Sequence, residues 1–351
     1  MPESNDRTGP VPPVLSIDGL RTYFDTDDGV VRAVEGATYD VYPRETLAVV
    51  GESGSGKSVT AMSVLRLIPQ PPGRIAGGAV WFGGKDLLRV SDREMYHIRG
   101  RRIAMIFQEP MTSLNPVHTV GKQIVEPMLL HRLYSRAEAE ERAVELLSQV
   151  GIPAPRERLN DYPFQLSGGM RQRVMIAIAL SCNPDLLIAD EPTSALDVTV
   201  QLQILRLLKS LQEELGMAVV LITHDLGVVA EVADRVAVMY AGRVVENGSL
   251  REVFYHSAHP YVEGLRKSIP ILDEKKPRLP VIPGQVPNAA ELPRGCPFAP
   301  RCPYVMDRCL AEDPPVTVVS EAEPGPRPHR VRCWLNDGPV YEESYEEHGD
   351  E

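Results

Sequence analysis

The sequence predicts an α/β fold: a mainly parallel sheet covered by helices, with a helical subdomain inserted in it and a small loop-rich segment after it. Three observations point there. Over about residues 13–268, short β-rich runs alternate with helical periodicity, the pattern of strand–helix–strand units. A glycine-rich run, residues 51–58, stands between a strand signal and a helix signal. Between about residues 109 and 165 no strand signal occurs, so that stretch is read as helices inserted in the core.

The first expected strand of the parallel sheet is Thr46–Val50, and the helix after it runs to Leu67. A second strand at 103–107 precedes the insert. Within the insert, Ser135-Arg136-Ala137-Glu138 is a capping box, followed by Ala139, Ala143, Val144, Leu147 and Val150 at helical spacing. The apolar run 174–180 continues the helix opened by Ser167-Gly168-Gly169. Further strands are expected at 186–189, 218–223 and 236–240. Between the strands at 186–189 and 218–223, a helix from near Val198 carries Leu202, Leu205, Leu208 and Leu211 on one stripe and stops before Gly216; the stripe reads as core. After Ser268 the chain becomes Pro-rich and irregular. The expected division is therefore an N-terminal extension (1–13), a main domain (14–268, with its helical subdomain at about 109–180), a loop-rich module (269–335) and an acidic tail (336–351) expected to be disordered.

The chemistry concentrates in four places. Gly51, Glu52, Ser53, Gly54, Ser55, Gly56, Lys57 and Ser58 fit the P-loop pattern: glycines let the backbone wrap phosphates, Lys57 reaches the β- and γ-phosphates, and Ser58 ligates Mg2+, with Val59 next in the helix. Ser167, Gly168, Gly169 and Met170 open a second helix whose free N–H groups and positive dipole end suit phosphate. Asp190 and Glu191 follow an apolar strand and supply an Mg2+ ligand and a carboxylate that orients an attacking water. Gln108 and His224 each end a predicted strand, placing them at the carboxyl edge of the sheet where open α/β folds bind ligands. There Gln108 can touch Mg2+ and the water, and His224 can hydrogen-bond the γ-phosphate as charge builds.

Bulk properties narrow the alternatives. The 351 residues are 43% hydrophobic, enough for a large core, yet the apolar runs fall far short of the roughly 18–20 residues that span a bilayer. The N-terminus lacks a basic start and apolar run, so the protein is expected to stay in the cytoplasm. A net charge of −11 argues against a non-specific grip on nucleic acid, and the short knot Arg99, Arg101, Arg102 is read as a solvated loop.

The P-loop, Gln108, Leu166-Ser167-Gly168-Gly169, Asp190-Glu191, Ser194-Ala195-Leu196-Asp197 and His224 occur in the order of an ATP-binding cassette ATPase, and over about residues 15–268 the chain resembles that family. The resemblance implies that Glu191 is the catalytic carboxylate, that Asp197 lies in the loop crossing to a partner, and that Phe24 stacks on adenine, with Tyr23 its neighbouring alternative. It also implies that the Ser167 turn closes over ATP held by the P-loop of a second cassette. Met170 departs from the usual signature, where Gln stands. The stretches 99–116 and 223–229, with His259-Pro260-Tyr261, are similar to the ATPase subunits of dipeptide and oligopeptide importers, a group that includes nickel importers. The function implied is ATP hydrolysis that energises peptide import at the cytoplasmic face of the membrane. The implied partners are a second, distinct cassette chain, two membrane-spanning permease subunits and an extracytoplasmic peptide-binding protein, with no nucleic acid.

Cys296, Cys302, Cys309 and Cys333 cluster in the Pro-rich segment, which in a cytoplasmic protein favours metal ligation over disulfides. Their spacing lacks the paired knuckles of a zinc ribbon, and the resemblance implies a [4Fe-4S] cluster, with zinc and free thiols as the alternatives. Cys182 is read as a buried packing thiol.

Overall fold

A computed structural model describes residues 11–108, 113–194, 196–268, 281–319, 327–336 and 339. Its strands are β1 (Leu15–Thr26), β2 (Gly29–Val41), β3 (Thr46–Val50), β4 (Gly73–Phe82), β5 (Lys85–Asp86), β6 (Ile103–Ile106), β7 (Leu186–Asp190), β8 (Ala218–Thr223), β9 (Arg235–Tyr240), β10 (Arg243–Ser249), β11 (Val316–Val318) and β12 (Arg330–Arg332). They form an eight-stranded sheet in the order β11-β12-β10-β9-β3-β8-β7-β6 and a four-stranded sheet in the order β2-β1-β4-β5. In the larger sheet β9, β3, β8, β7 and β6 run parallel. All residues of β3, β7, β8 and β9 are buried, as expected of aliphatic runs covered on both faces. The five predicted strands are present; β6 stops one residue short of Phe107, β7 extends to Asp190, and β9 begins at Arg235.

The smaller, antiparallel sheet was not anticipated. Its strand β1 breaks period-two alternation, because register shifts between Ile17 and Leu20 and again at Thr22 put an extra residue in the ladder and move its side chains between faces. Leu15, Ile17, Leu20, Val80 and Phe82 of this sheet pack with Leu47, Val49 and Ile222 of the larger one and with Ala61 and Val64 of the helix Lys57–Val64, making one shared core.

The insert contains the helices Val120–Leu130 and Arg136–Gln149, the short turn Pro155–Arg158, and then the helix Gly168–Leu180. Ser135 and Glu138 form the expected capping box. Ile124, Met128, Ala139, Leu147 and Val174 bury themselves together and continue into Leu187 and Leu221 of the large sheet, so the insert shares a core with it. Its expected start falls on residues 109–112, outside the described residues. The helix Val198–Leu215 ends at Gly216 as expected, but the buried stripe is Ile204, Leu205, Leu208 and Leu211, with Leu202 only half-buried. Arg99 donates to the carbonyls of Leu65 and Arg66, and Arg102 pairs with Asp185, so two of the three basic-knot arginines serve local structure. Among the described residues no helix is long and apolar enough to cross a membrane. The tail beyond Pro339 and the first ten residues lie outside the described residues.

The expected separate cysteine module is not supported. Strands β11 and β12 extend the large sheet through β10, and Phe298, Cys296 and Cys302 pack with Tyr240, Val245 and Tyr261 in a third apolar cluster. The segment lacks helix and strand patterns long enough to read because its order comes from docking onto that sheet.

Candidate functional site

Parallel strands end on the same side, so the residues that follow β3, β6, β7 and β8 gather at one edge of the sheet. Gly51, Glu52, Ser53, Gln108, Glu191 and His224 line one cleft there, of about 410 Å³. The P-loop is shaped by two glycines that admit no side chain: a Cβ on Gly51 would lie 2.2 Å from the Met239 carbonyl oxygen, and one on Gly56 2.4 Å from that of Ala33. Both have positive φ, at 156° and 99°, which L-residues adopt only with strain. The resulting loop has the form of a phosphate cradle.

Lys57 is buried, and its Nζ donates to the carbonyl oxygens of Gly51 (2.8 Å) and Glu52 (3.0 Å) and to Ser55 Oγ (3.3 Å). Burial pulls its pKa below the usual lysine value, while the carboxylates of Glu191, Asp190 and Glu52 oppose that fall. Ser58 Oγ donates to Asp190 Oδ1 at 2.9 Å, and burial raises the Asp190 pKa against this hydrogen bond. A hydroxyl and a desolvated carboxylate in contact are a fitting oxygen pair for Mg2+. Gln108 Nε2 donates to Glu191 Oε2 at 3.1 Å.

Glu191 is held at three points. Its backbone N–H bonds the Ile222 carbonyl at 2.9 Å, its φ is +44°, and its two carboxylate oxygens meet Gln108 and, at 3.0 Å, His224 Nδ1. A non-glycine residue in the left-handed region stores strain that the surroundings must hold.

The signature turn lies outside the cleft. Ser167 is the N-cap of the helix Gly168–Leu180 and accepts the Met170 N–H at 3.3 Å. Ser167 and Gly168 are exposed, while the Met170 side chain packs on the insert's core. Gly169 stands beside Val200, and Asp197 caps the neighbouring helix by accepting the Val200 N–H at 3.0 Å. Signature turn and Asp197 are thus neighbours; Ala195, between Ser194 and Leu196, lies outside the described residues. Phe24 sits on β1 opposite Val31 and Gly73, its ring near Gly73, whereas the ring of Tyr23 faces the guanidinium groups of Arg32 and Arg74 at 6.0 and 5.2 Å.

Family models described as ABC transporter and as Oligopeptide/dipeptide transporter, C-terminal region, match residues 34–194 and 245–309. The chain is 52% identical over 324 residues to the Dipeptide transport ATP-binding protein DppD of Bacillus subtilis (strain 168), covering 92% of this chain and 95% of that one. The chain belongs to the ABC transporter family of ATP-binding proteins. It is also 51% identical to the Oligopeptide transport ATP-binding protein OppD of the same strain, over 92% of this chain and 88% of the relative. Among solved structures, the dimeric post-hydrolysis state of the ATP-binding cassette MJ0796 bound to ADP and Pi matches with a TM-score of 0.61 at 30% identity, over 68% of this chain and 99% of that one. The ABC fold accounts for a P-loop and a signature turn that do not meet within one chain.

The iron-sulfur cluster expected at Cys296, Cys302, Cys309 and Cys333, and the zinc alternative, are corrected. Among the described residues no group of three or more His, Cys, Asp or Glu side chains is arranged to hold a metal ion. The thiols come near enough for their charges to interact, but burial raises the pKa values of Cys296, Cys302 and Cys333, to about 11 for Cys333, favouring neutral thiols. Cysteine spacing overstated the case because buried Cys packs like a small apolar residue.

Sequence reasoning missed Arg301, and quoted Tyr261 without a role. Tyr261 Oη accepts the Glu52 N–H at 2.9 Å, and Arg301 Nη1 and Nη2 donate to Glu52 Oε2 and Oε1 at 2.9 and 3.1 Å. These partners lie 209 and 249 positions from Glu52, so no local pattern signals them.

Proposed function

We propose that this chain is the ATP-hydrolysing subunit that energises peptide import across the cytoplasmic membrane, working at the cytoplasmic face. The observation that carries the reading is Glu191 gripped between Gln108 and His224 at the mouth of the P-loop; the relatives' peptide-transport names support the cargo class. Gly51, Glu52, Ser53, Gly54, Ser55, Gly56 and Val59 frame the phosphates, and Lys57 exchanges its carbonyl partners for phosphate oxygens. Phe24 and Tyr23 are the aromatics offered to the base. Ser58, Asp190 and Gln108 would hold Mg2+, which when bound neutralises phosphate charge.

Glu191 orients and polarises the attacking water, and His224 donates to charge developing on the transferred phosphoryl group. Gln108 holds the Glu191 carboxylate toward that water. Ser167, Gly168, Gly169 and Met170, with Asp197, face a second cassette, so that each ATP is sandwiched between the P-loop of one chain and the signature turn of another. The second cassette is a distinct chain, docked with it on two permease subunits fed by an extracytoplasmic peptide-binding protein.

The test is ATP-dependent uptake of a radiolabelled dipeptide by vesicles carrying the assembled transporter, with wild type or Lys57→Ala. Uptake in the wild type alone supports the reading. Nickel uptake without peptide uptake, or co-purification with nucleic acid in place of permease subunits, overturns it.

A further inference from the structure

A carboxylate inside a loop that receives phosphates opposes its own ligand, and Glu52 puts one there. The chain answers that charge from far along the sequence. Arg301 grips both Glu52 oxygens, at 2.9 and 3.1 Å, in the paired geometry that gives guanidinium–carboxylate contacts their strength. Arg301 is itself buried, at 8% exposure, its Nε donating to the Pro283 carbonyl at 3.0 Å and its guanidinium lying by the rings of Tyr240 and Phe298. Burial works against its charge, but hydrogen bonds to Glu52 and Tyr240 outweigh that and hold the guanidinium firmly protonated. The backbone of Glu52 is tied as well, through Tyr261 Oη at 2.9 Å.

We propose that Arg301 is a positioning residue for nucleotide binding: by neutralising and orienting Glu52, the segment that follows the cassette sets the affinity of the P-loop for polyphosphate. The inference rests on the reading of this loop as the ATP site. A purely structural staple would make the same contacts but would not depend on the Glu52 charge.

The experiment measures Mg-ATP binding by the full-length chain with a fluorescent ATP analogue, together with KM and kcat of ATP hydrolysis, for wild type, Arg301→Ala, Glu52→Gln and the double variant. Arg301→Ala should raise Kd and KM about tenfold with kcat changed less than twofold, the effect expected of one uncompensated charge a few ångströms away. Adding Glu52→Gln should bring Kd back to within about threefold of wild type. Arg301→Lys, which keeps the charge but not the paired geometry, should fall between wild type and Arg301→Ala, and Arg301→Met, which keeps the apolar stem, reads the same charge loss if the alanine variant does not fold. Equal Kd for wild type and the neutral variants, or no recovery in the double variant, overturns the inference. A wild-type chain that binds no nucleotide would instead overturn the reading of the site.

Discussion

His224 Nδ1 stands 3.0 Å from Glu191 Oε1, while Gln108 occupies the other carboxylate oxygen. The three side chains come from loops after three different strands, and their meeting depends on those strands being parallel neighbours in the order β8-β7-β6. A carboxylate held on both oxygens and strained at its backbone has little freedom to turn.

Glu191→Gln should therefore bind ATP with near wild-type affinity and lose turnover by a factor of about 100 or more, because the amide keeps the hydrogen-bonding shape without the basic charge. Phosphate release in single-turnover and steady-state assays reads this. Undiminished release would remove Glu191 from the mechanism.

His224→Ala should lower kcat by about ten- to a hundredfold with a smaller change in KM, since the contact strengthens as charge develops. His224→Gln, able to keep a hydrogen bond, should retain part of the activity. A change confined to KM would assign His224 to binding alone.

Asp197 has a role inside its own chain that is separable from any role at a partner. As N-cap of the helix Val198–Leu215 it accepts the Val200 N–H, so Asp197→Ala should cost about 1 kcal/mol of stability while Asp197→Ser preserves the cap. Thermal unfolding of the two variants measures the cap. Loss of ATP turnover in the serine variant, with stability intact, would then report the partner-facing function.

Stability should fall on mild acidification through His259. Burial holds its pKa down at about 3, and its Nδ1 accepts the Tyr261 N–H at 3.0 Å. Below the ordinary histidine value near 6.5 the unfolded chain takes up a proton that the folded chain refuses, so stability present above about pH 6.5 is lost progressively toward pH 3. At pH 5 the loss is about 2 kcal/mol. Urea midpoints at pH 7 and pH 5 should show a shallower dependence in His259→Gln than in the wild type. Equal slopes would refute the assignment.

What the sequence alone determined was everything written in local chemistry. The P-loop, the Ser167 turn, the Asp190-Glu191 pair, the capping box at Ser135 and the fully buried strands depend on residues within a few positions of one another, whose steric and hydrogen-bonding demands are legible in order along the chain. The tertiary structure decided the rest. It brought in the antiparallel sheet, hidden by the register shifts in β1, and it joined Gln108 to Glu191, 83 positions apart. Where a metal site was expected it left thiols shielded by burial, with no metal-holding group among the described residues. And it brought Arg301 and Tyr261 onto Glu52, across 249 and 209 positions. Such contacts leave no periodicity, because their energy comes from desolvated charge and shape at a meeting of segments that only the folded chain creates.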